Sequence, residues 1–188
     1  MQTSVDGFVA NAHGHANWMI WSWGEPWTWD KDLQQYHTRL TASIDRVLLS
    51  RKMAQEGFID HWAAVAKKKN NPQAAFAGNV TKAHKIVFTK TLQKSAWPNT
   101  TLAKGDLVTT VNQLKQQPGR DMIVYGGASF VSSLVAARLI DEYHLVVNPT
   151  ALGKGLSIFQ QVGDHLNLQL QSANQYPCGV VVLIYTPA

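Results

Sequence analysis

Residues 121–150, DMIVYGGASFVSSLVAARLIDEYHLVVNPT, leave the chain few folds to choose from. Met122-Ile123-Val124-Tyr125 is a short apolar run of the kind that forms a buried strand. Gly126 and Gly127 follow, then Ala128 and Ser129, then apolar residues at helical spacing: Phe130, Val131, Leu134, Val135 and Leu139. A second apolar run, Tyr143 to Val147, ends before Pro149. Strand, glycine turn, helix and strand in that order predict a βαβ crossover, the unit from which parallel sheets are built. The glycines have two readings. One is a tight turn. The other is ligand approach: without a Cβ the backbone is accessible, and the free N–H groups of a helix start suit a phosphate. The pair matches neither GxGxxG nor the phosphate loop that ends in Gly-Lys-Ser/Thr.

Two further strand ends share this character. Arg46-Val47-Leu48-Leu49 reads as a strand that runs into Ser50-Arg51-Lys52-Met53, ahead of a helix through Phe58, Ile59 and Trp62. Lys85-Ile86-Val87-Phe88 reads as a strand that ends in Thr89-Lys90-Thr91. Each pair or single cation is ordinary on a surface, and each is also what an anion site needs. In open α/β sheets, ligands bind outside the carboxyl ends of the strands. Three phosphate-suited loops on one sheet edge therefore point to a phosphorylated dinucleotide.

The remaining elements complete the expectation. A helix is predicted from Lys31, capped by Thr28 or Asp30, with Leu33, Tyr36, His37, Leu40 and Ile44 on its buried face. Lys67-Lys68-Lys69 opens a polar loop expected to continue through residues 74–79. Residues 100–104 suit a strand, and Leu107, Val111 and Leu114 a helix that stops before Pro118-Gly119. After a basic loop at residues 150–155, Leu166, Leu168 and Leu170 alternate with polar residues. With the apolar run 180–185 they predict an antiparallel hairpin around Tyr176-Pro177-Cys178-Gly179. The expected fold class is α/β: a mostly parallel central sheet with helices on both faces, an antiparallel C-terminal hairpin, and one domain over residues 1–188.

Composition narrows the function. A formal charge of +5 and a pI near 9.4 favour an anionic partner, either nucleic acid or a phosphorylated small molecule. Cys178 is the one cysteine, which excludes an internal disulfide and a multi-cysteine metal site. His13 and His15 lack a third ligand, so no metal is expected. No signal peptide or membrane-spanning run is visible, and a cytoplasmic protein is expected. Trp18, Trp21, Trp23, Trp27 and Trp29 crowd a turn-rich segment. Their rings either cover a core edge or wall a pocket for a flat ring ligand. Asp32 lies in the first turn of the predicted helix, either as a dipole-stabilised acid or as a proton donor.

Taken in order, several segments resemble the dihydrofolate-reductase-like superfamily. They are Ser4-Val5-Asp6-Gly7-Phe8-Val9-Ala10, residues 47–53, Val87-Phe88-Thr89-Lys90-Thr91-Leu92, residues 123–129, Asp141-Glu142, and residues 149–159. The nearest branch is the reductase domain of the bifunctional riboflavin-biosynthesis deaminase/reductase. That resemblance implies NADPH binding and hydride transfer to a small pterin- or pyrimidine-like ring. It implies an adenosine 2′-phosphate against Ser50, Arg51, Lys52 and Met53 and against Thr89, Lys90 and Thr91. The pyrophosphate would meet Tyr125, Gly126, Gly127, Ala128 and Ser129, and the nicotinamide would run along Val9 and Ala10. Substrate contacts fall to Trp18, Trp29, Asp6 and Thr150, and the catalytic acid to Asp32. The expected partner is a small ring substrate, with no nucleic acid and no membrane, in a chain that forms a homodimer. This sequence departs from the branch in three places. Only three residues precede Ser4, Met53 stands where a small hydroxyl residue is common, and Lys154 interrupts Gly153-Lys154-Gly155 where a second glycine is usual. The competing classes are a basic nucleic-acid-binding module and a pseudo-enzyme that keeps the cofactor fold.

Overall fold

Hydrophobic runs and helical periodicities resolve into ten strands and six helices in a computed structural model that describes all of residues 1–188. In chain order they are β1 (Gln2–Thr3), β2 (Ala10–Asn11), α1 (Lys31–Ala42), β3 (Ile44–Ser50), α2 (Arg51–Gln55), α3 (Phe58–Ala66), α4 (Ala74–Lys82) and β4 (His84–Phe88). There follow β5 (Thr100–Ala103), α5 (Leu107–Gln116), β6 (Asp121–Val124), α6 (Ala128–Ala136), β7 (Tyr143–Val147), β8 (Gly155–Leu156), β9 (Leu168–Gln175) and β10 (Val181–Pro187). The chain packs as two compact units, residues 33–127 and residues 1–32 with 128–188.

The 33–127 unit is built on a parallel sheet in the order β5-β4-β3-β6. Its central strands are apolar because a parallel strand is covered on both faces. Val47, Leu48 and Leu49 of β3 and Ile86 and Val87 of β4 are all buried. The register sets Ser50 beside Phe88 and Leu48 beside Val124, so the carboxyl ends of β4, β3 and β6 lie at the same level. Helix α1 buries Leu33, His37 and Thr41, four residues apart. Tyr36 and Leu40 are only half-buried, and Ile44 belongs to β3 rather than to the helix. The His37 ring stacks on Phe76 at 4.7 Å, and Phe76 meets Trp62 edge-on at 4.7 Å.

Residues 74–79 correct the sequence expectation: they are helix, not loop. Phe76, Ala77 and Val80 form the buried stripe that holds α4, and this tertiary packing outweighs the weak propensity of Gly78. The helix expected after Ser50 is also two pieces. Gly57, at φ +95°, adopts the left-handed conformation that ends α2 and starts α3 in a new direction.

The other unit carries a four-stranded sheet in the order β1-β7-β10-β9. Strands β9 and β10 form the expected antiparallel hairpin, closed by a turn in which Gly179 N–H donates to Tyr176 O at 2.9 Å. Strand β7 pairs antiparallel with β10 and parallel with β1, where Gln2 lies opposite Val146 and Thr3 opposite Val147. Thus β6 and β7 are not neighbours as a simple βαβ crossover would have them. Pairing with β1 and β10 claims both sides of β7, and β6 pairs with β3. A two-residue ribbon joins β2 to β8. Val131, Leu134 and Val135 of α6 are buried in this unit, as are Tyr143, Val146 and Val182. No helix is long and apolar enough to cross a membrane.

Candidate functional site

The level strand ends of the 33–127 unit bring three sequence-predicted loops to one sheet edge. At the end of β3, Ser50 caps α2, its Oγ accepting from Met53 N–H at 3.2 Å. Arg51 is exposed and reaches no acid; its guanidinium donates to Gln55 Oε1 at 3.2 Å. Lys52 lies 3.7 Å from Glu56 with most of its side chain in water, a contact worth little energetically. At the end of β4, buried Thr89 orders its own loop, its Oγ1 accepting from Thr91 N–H at 3.2 Å and Leu92 N–H at 3.1 Å. That leaves Lys90 and Thr91 exposed, Lys90 with no ion pair.

Strand β6 delivers the glycine turn. Gly126 is buried, and a Cβ there would stand 3.1 Å from Met53 Sδ. Met53 therefore packs its thioether against the turn where a hydroxyl would have offered a donor. Gly127 takes φ +78° and is exposed. Helix α6 starts at the next residue, and the N–H groups of Ala128 and Ser129 meet no acceptor. Tyr125 differs from the expectation. Its ring packs with Phe58 at 5.6 Å and His37 at 6.0 Å, so the side chain belongs to the core and only its backbone belongs to the turn. Burial raises its phenol pKa above the ordinary range. Unpaired cations and a left-handed glycine at one edge of the 33–127 unit are what phosphate oxygens require, and so, taken by themselves, are the free N–H groups that open α6.

The remaining predicted residues lie in the other unit. Asp6 ties a corner of the backbone together. Its carboxylate accepts from Ser4 Oγ at 2.5 Å, Leu152 N–H at 3.0 Å and Gly153 N–H at 2.7 Å. These bonds, the Ser4 hydroxyl first, hold its pKa below the usual carboxylate value. The Thr150 carbonyl accepts from Val5 N–H at 2.9 Å, which closes the same corner. Val9 and Ala10 are buried along the β2–β8 ribbon. Trp29 is 3% exposed and meets Trp21 edge-on at 4.7 Å, so these two rings are core. Trp18 is half-buried, and its indole N–H is buried without an acceptor. Asp32 is exposed in the first turn of α1.

Two positioning residues escaped the sequence reading. Asn148 is fully buried; its amide donates to Gln2 Oε1 at 3.2 Å and Val146 O at 3.2 Å, and its Oδ1 accepts from Ile20 N–H at 2.9 Å. It ties the tryptophan segment to the ends of β1 and β7. An Asn-Pro after an apolar strand was the available signal. Gly155 is the second: a Cβ there would stand 2.2 Å from the Ala10 carbonyl oxygen. Its place in Gly153-Lys154-Gly155 thus follows from close backbone approach.

A parallel sheet with helices in one unit and an antiparallel C-terminal sheet in the other are the elements of the dihydrofolate-reductase-like fold. Within that class the chain belongs to the family of the RibD C-terminal domain, which it matches over residues 1–182, across both units. An uncharacterised Bacillus subtilis protein, YyaP, is 28% identical over 187 residues, covering 98% of this chain and 91% of YyaP. A candidate riboflavin biosynthesis protein of Shewanella sp. PV-4 superposes with a TM-score of 0.70 at 18% identity, over 100% of this chain and 96% of that one. The Thermotoga maritima diaminohydroxyphosphoribosylaminopyrimidine deaminase/5-amino-6-(5-phosphoribosylamino)uracil reductase superposes with a TM-score of 0.64 at 16% identity. Its match covers 100% of this chain and 55% of that one.

Proposed function

We propose that this protein is an NADPH-dependent reductase of a small pterin- or pyrimidine-like ring. The observation that carries the reading is the shared edge of β4, β3 and β6, with Lys90, Arg51 and the Gly126-Gly127 turn at level strand ends. Arg51, Lys90 and the Thr91 hydroxyl suit a 2′-phosphate, and Arg51 and Lys90 have no acid to neutralise them. The N–H groups of Ala128 and Ser129 suit a pyrophosphate. When bound, the cofactor supplies a hydride from its nicotinamide.

The protein's own share is orientation and proton supply. Backbone along Val9 and Ala10 orients the nicotinamide, and half-buried Trp18 offers a ring face to the substrate. Asp32, exposed at the helix start, delivers the proton directly or through water. Asp6 and Thr150 act on the substrate side by holding the 149–153 corner in place.

The test is cofactor choice. NADPH should accept energy from the tryptophans and bind more tightly than NADH, and Arg51→Ala should narrow the gap by weakening NADPH alone. Equal affinities for the two cofactors in the native protein would refute the assignment of the phosphate loops.

A further inference from the structure

At the opposite end of the parallel sheet from the phosphate-suited loops, the 33–127 unit holds a partly open cavity of about 180 Å³. Phe58, Ile59 and Trp62 of α3, Val80 of α4 and Pro98 ahead of β5 form its walls. No acidic side chain lines it. Lys85, near the start of β4, also lines it and is only 3% exposed.

A buried ammonium without a counter-ion is a costly group unless something compensates it. Lys85 Nζ donates once, to the Thr81 carbonyl at 2.7 Å, and pairs with no carboxylate. An ammonium carries three donors, so two remain unused. Thr81 lines the same cavity, and its Oγ1 is buried with no hydrogen-bond partner. Two under-satisfied polar groups thus sit in a chamber whose other lining, apart from Asn99, is apolar. Burial lowers the Lys85 pKa from its ordinary 10.5, the response of an amine that lacks an anion.

Size limits the occupant. An apolar protein cavity of about 150 Å³ holds benzene. The cavity beside Lys85 therefore accommodates a single six-membered ring with one small substituent. We propose that it is a binding site for a small aromatic carboxylate, with the ring against Trp62 and Ile59 and the carboxylate between Lys85 Nζ and Thr81 Oγ1. The acid supplies the counter-ion and the acceptor that the protein withholds. A phosphate monoester fits less well, since one ammonium and one hydroxyl leave most of its oxygens dry. The site shares no residue with the proposed cofactor edge, so its occupancy does not depend on the reductase reading.

Benzoate and toluene are the probes, being a ring with and without the carboxylate. Binding is followed by calorimetry and by the shift of the Trp62 indole N–H resonance. Native protein should bind benzoate and move that resonance. Lys85→Met, close in length and unable to pair, should weaken benzoate at least tenfold, leave toluene unchanged, and melt no lower than native protein. Ala63→Leu, which fills the chamber from α3, should weaken both probes. Failure of benzoate to bind native protein overturns the proposal, as does equal benzoate affinity in Lys85→Met. If Lys85→Met does not fold, Ala63→Leu decides alone, and unaltered benzoate affinity in that variant overturns the proposal.

Discussion

Gly126 and Gly155 look alike in the sequence and differ in what surrounds them. At Gly155 an added Cβ would stand 2.2 Å from the backbone oxygen of Ala10, which cannot retreat without parting β2 from β8. At Gly126 the added atom would meet the tip of Met53, a flexible thioether, at 3.1 Å. Gly155→Ala should therefore cost on the order of 1–3 kcal/mol, the range for forced overpacking, while Gly126→Ala should cost well under that. Chemical denaturation of the two variants checks the order, and an equal loss would show that Met53 is held as rigidly as backbone.

At the scale of elements, carboxylates that order short segments make stability depend on pH. Asp106 caps α5, accepting from Thr109 N–H at 2.9 Å, and that bond is the first cause holding its pKa down. Asp6 does the same for the 149–153 corner, led by the Ser4 hydroxyl. Both folded pKa values lie below the ordinary 3.8. Their contribution is then complete above 3.8 and is lost as the pH falls through the depressed folded values, because the unfolded chain takes up those protons first. Asp6→Asn with Asp106→Asn should flatten the acid limb of the stability curve. A limb of unchanged slope would mean that other carboxylates govern it.

On the proposed function, turnover would be a property of the whole chain, since the proposed cofactor loops and the proposed proton donor come from separate stretches of sequence. If Asp32 supplies the proton, Asp32→Asn should cut turnover by about 10²-fold or more and leave NADPH affinity nearly unchanged. Recovery at low pH is expected with substrates that protonate before they bind. Unimpaired turnover across pH would return Asp32 to the role of a first-turn acid that complements the helix dipole of α1.

Local chemistry wrote much of this into the sequence. Apolar runs marked β3, β4, β7 and β10, a Gly-Gly pair marked the start of α6, and hydroxyl and cation pairs marked the strand ends. Such features rest on neighbours along the chain, and period and turn propensity report them directly. Partner choice across a sheet does not rest on neighbours. That β7 lies beside β1 and β10 while β6 lies beside β3 is set by hydrogen bonds between distant residues. The same holds for α4, whose Phe76, Ala77 and Val80 make a helix only because a core receives them. It holds for Trp29 and Tyr125, whose rings are packed against other core aromatics. It holds most of all for Lys85, one more cation in a basic sequence until burial removes it from water. Burial depends on the whole packed unit, so only the tertiary structure could decide it.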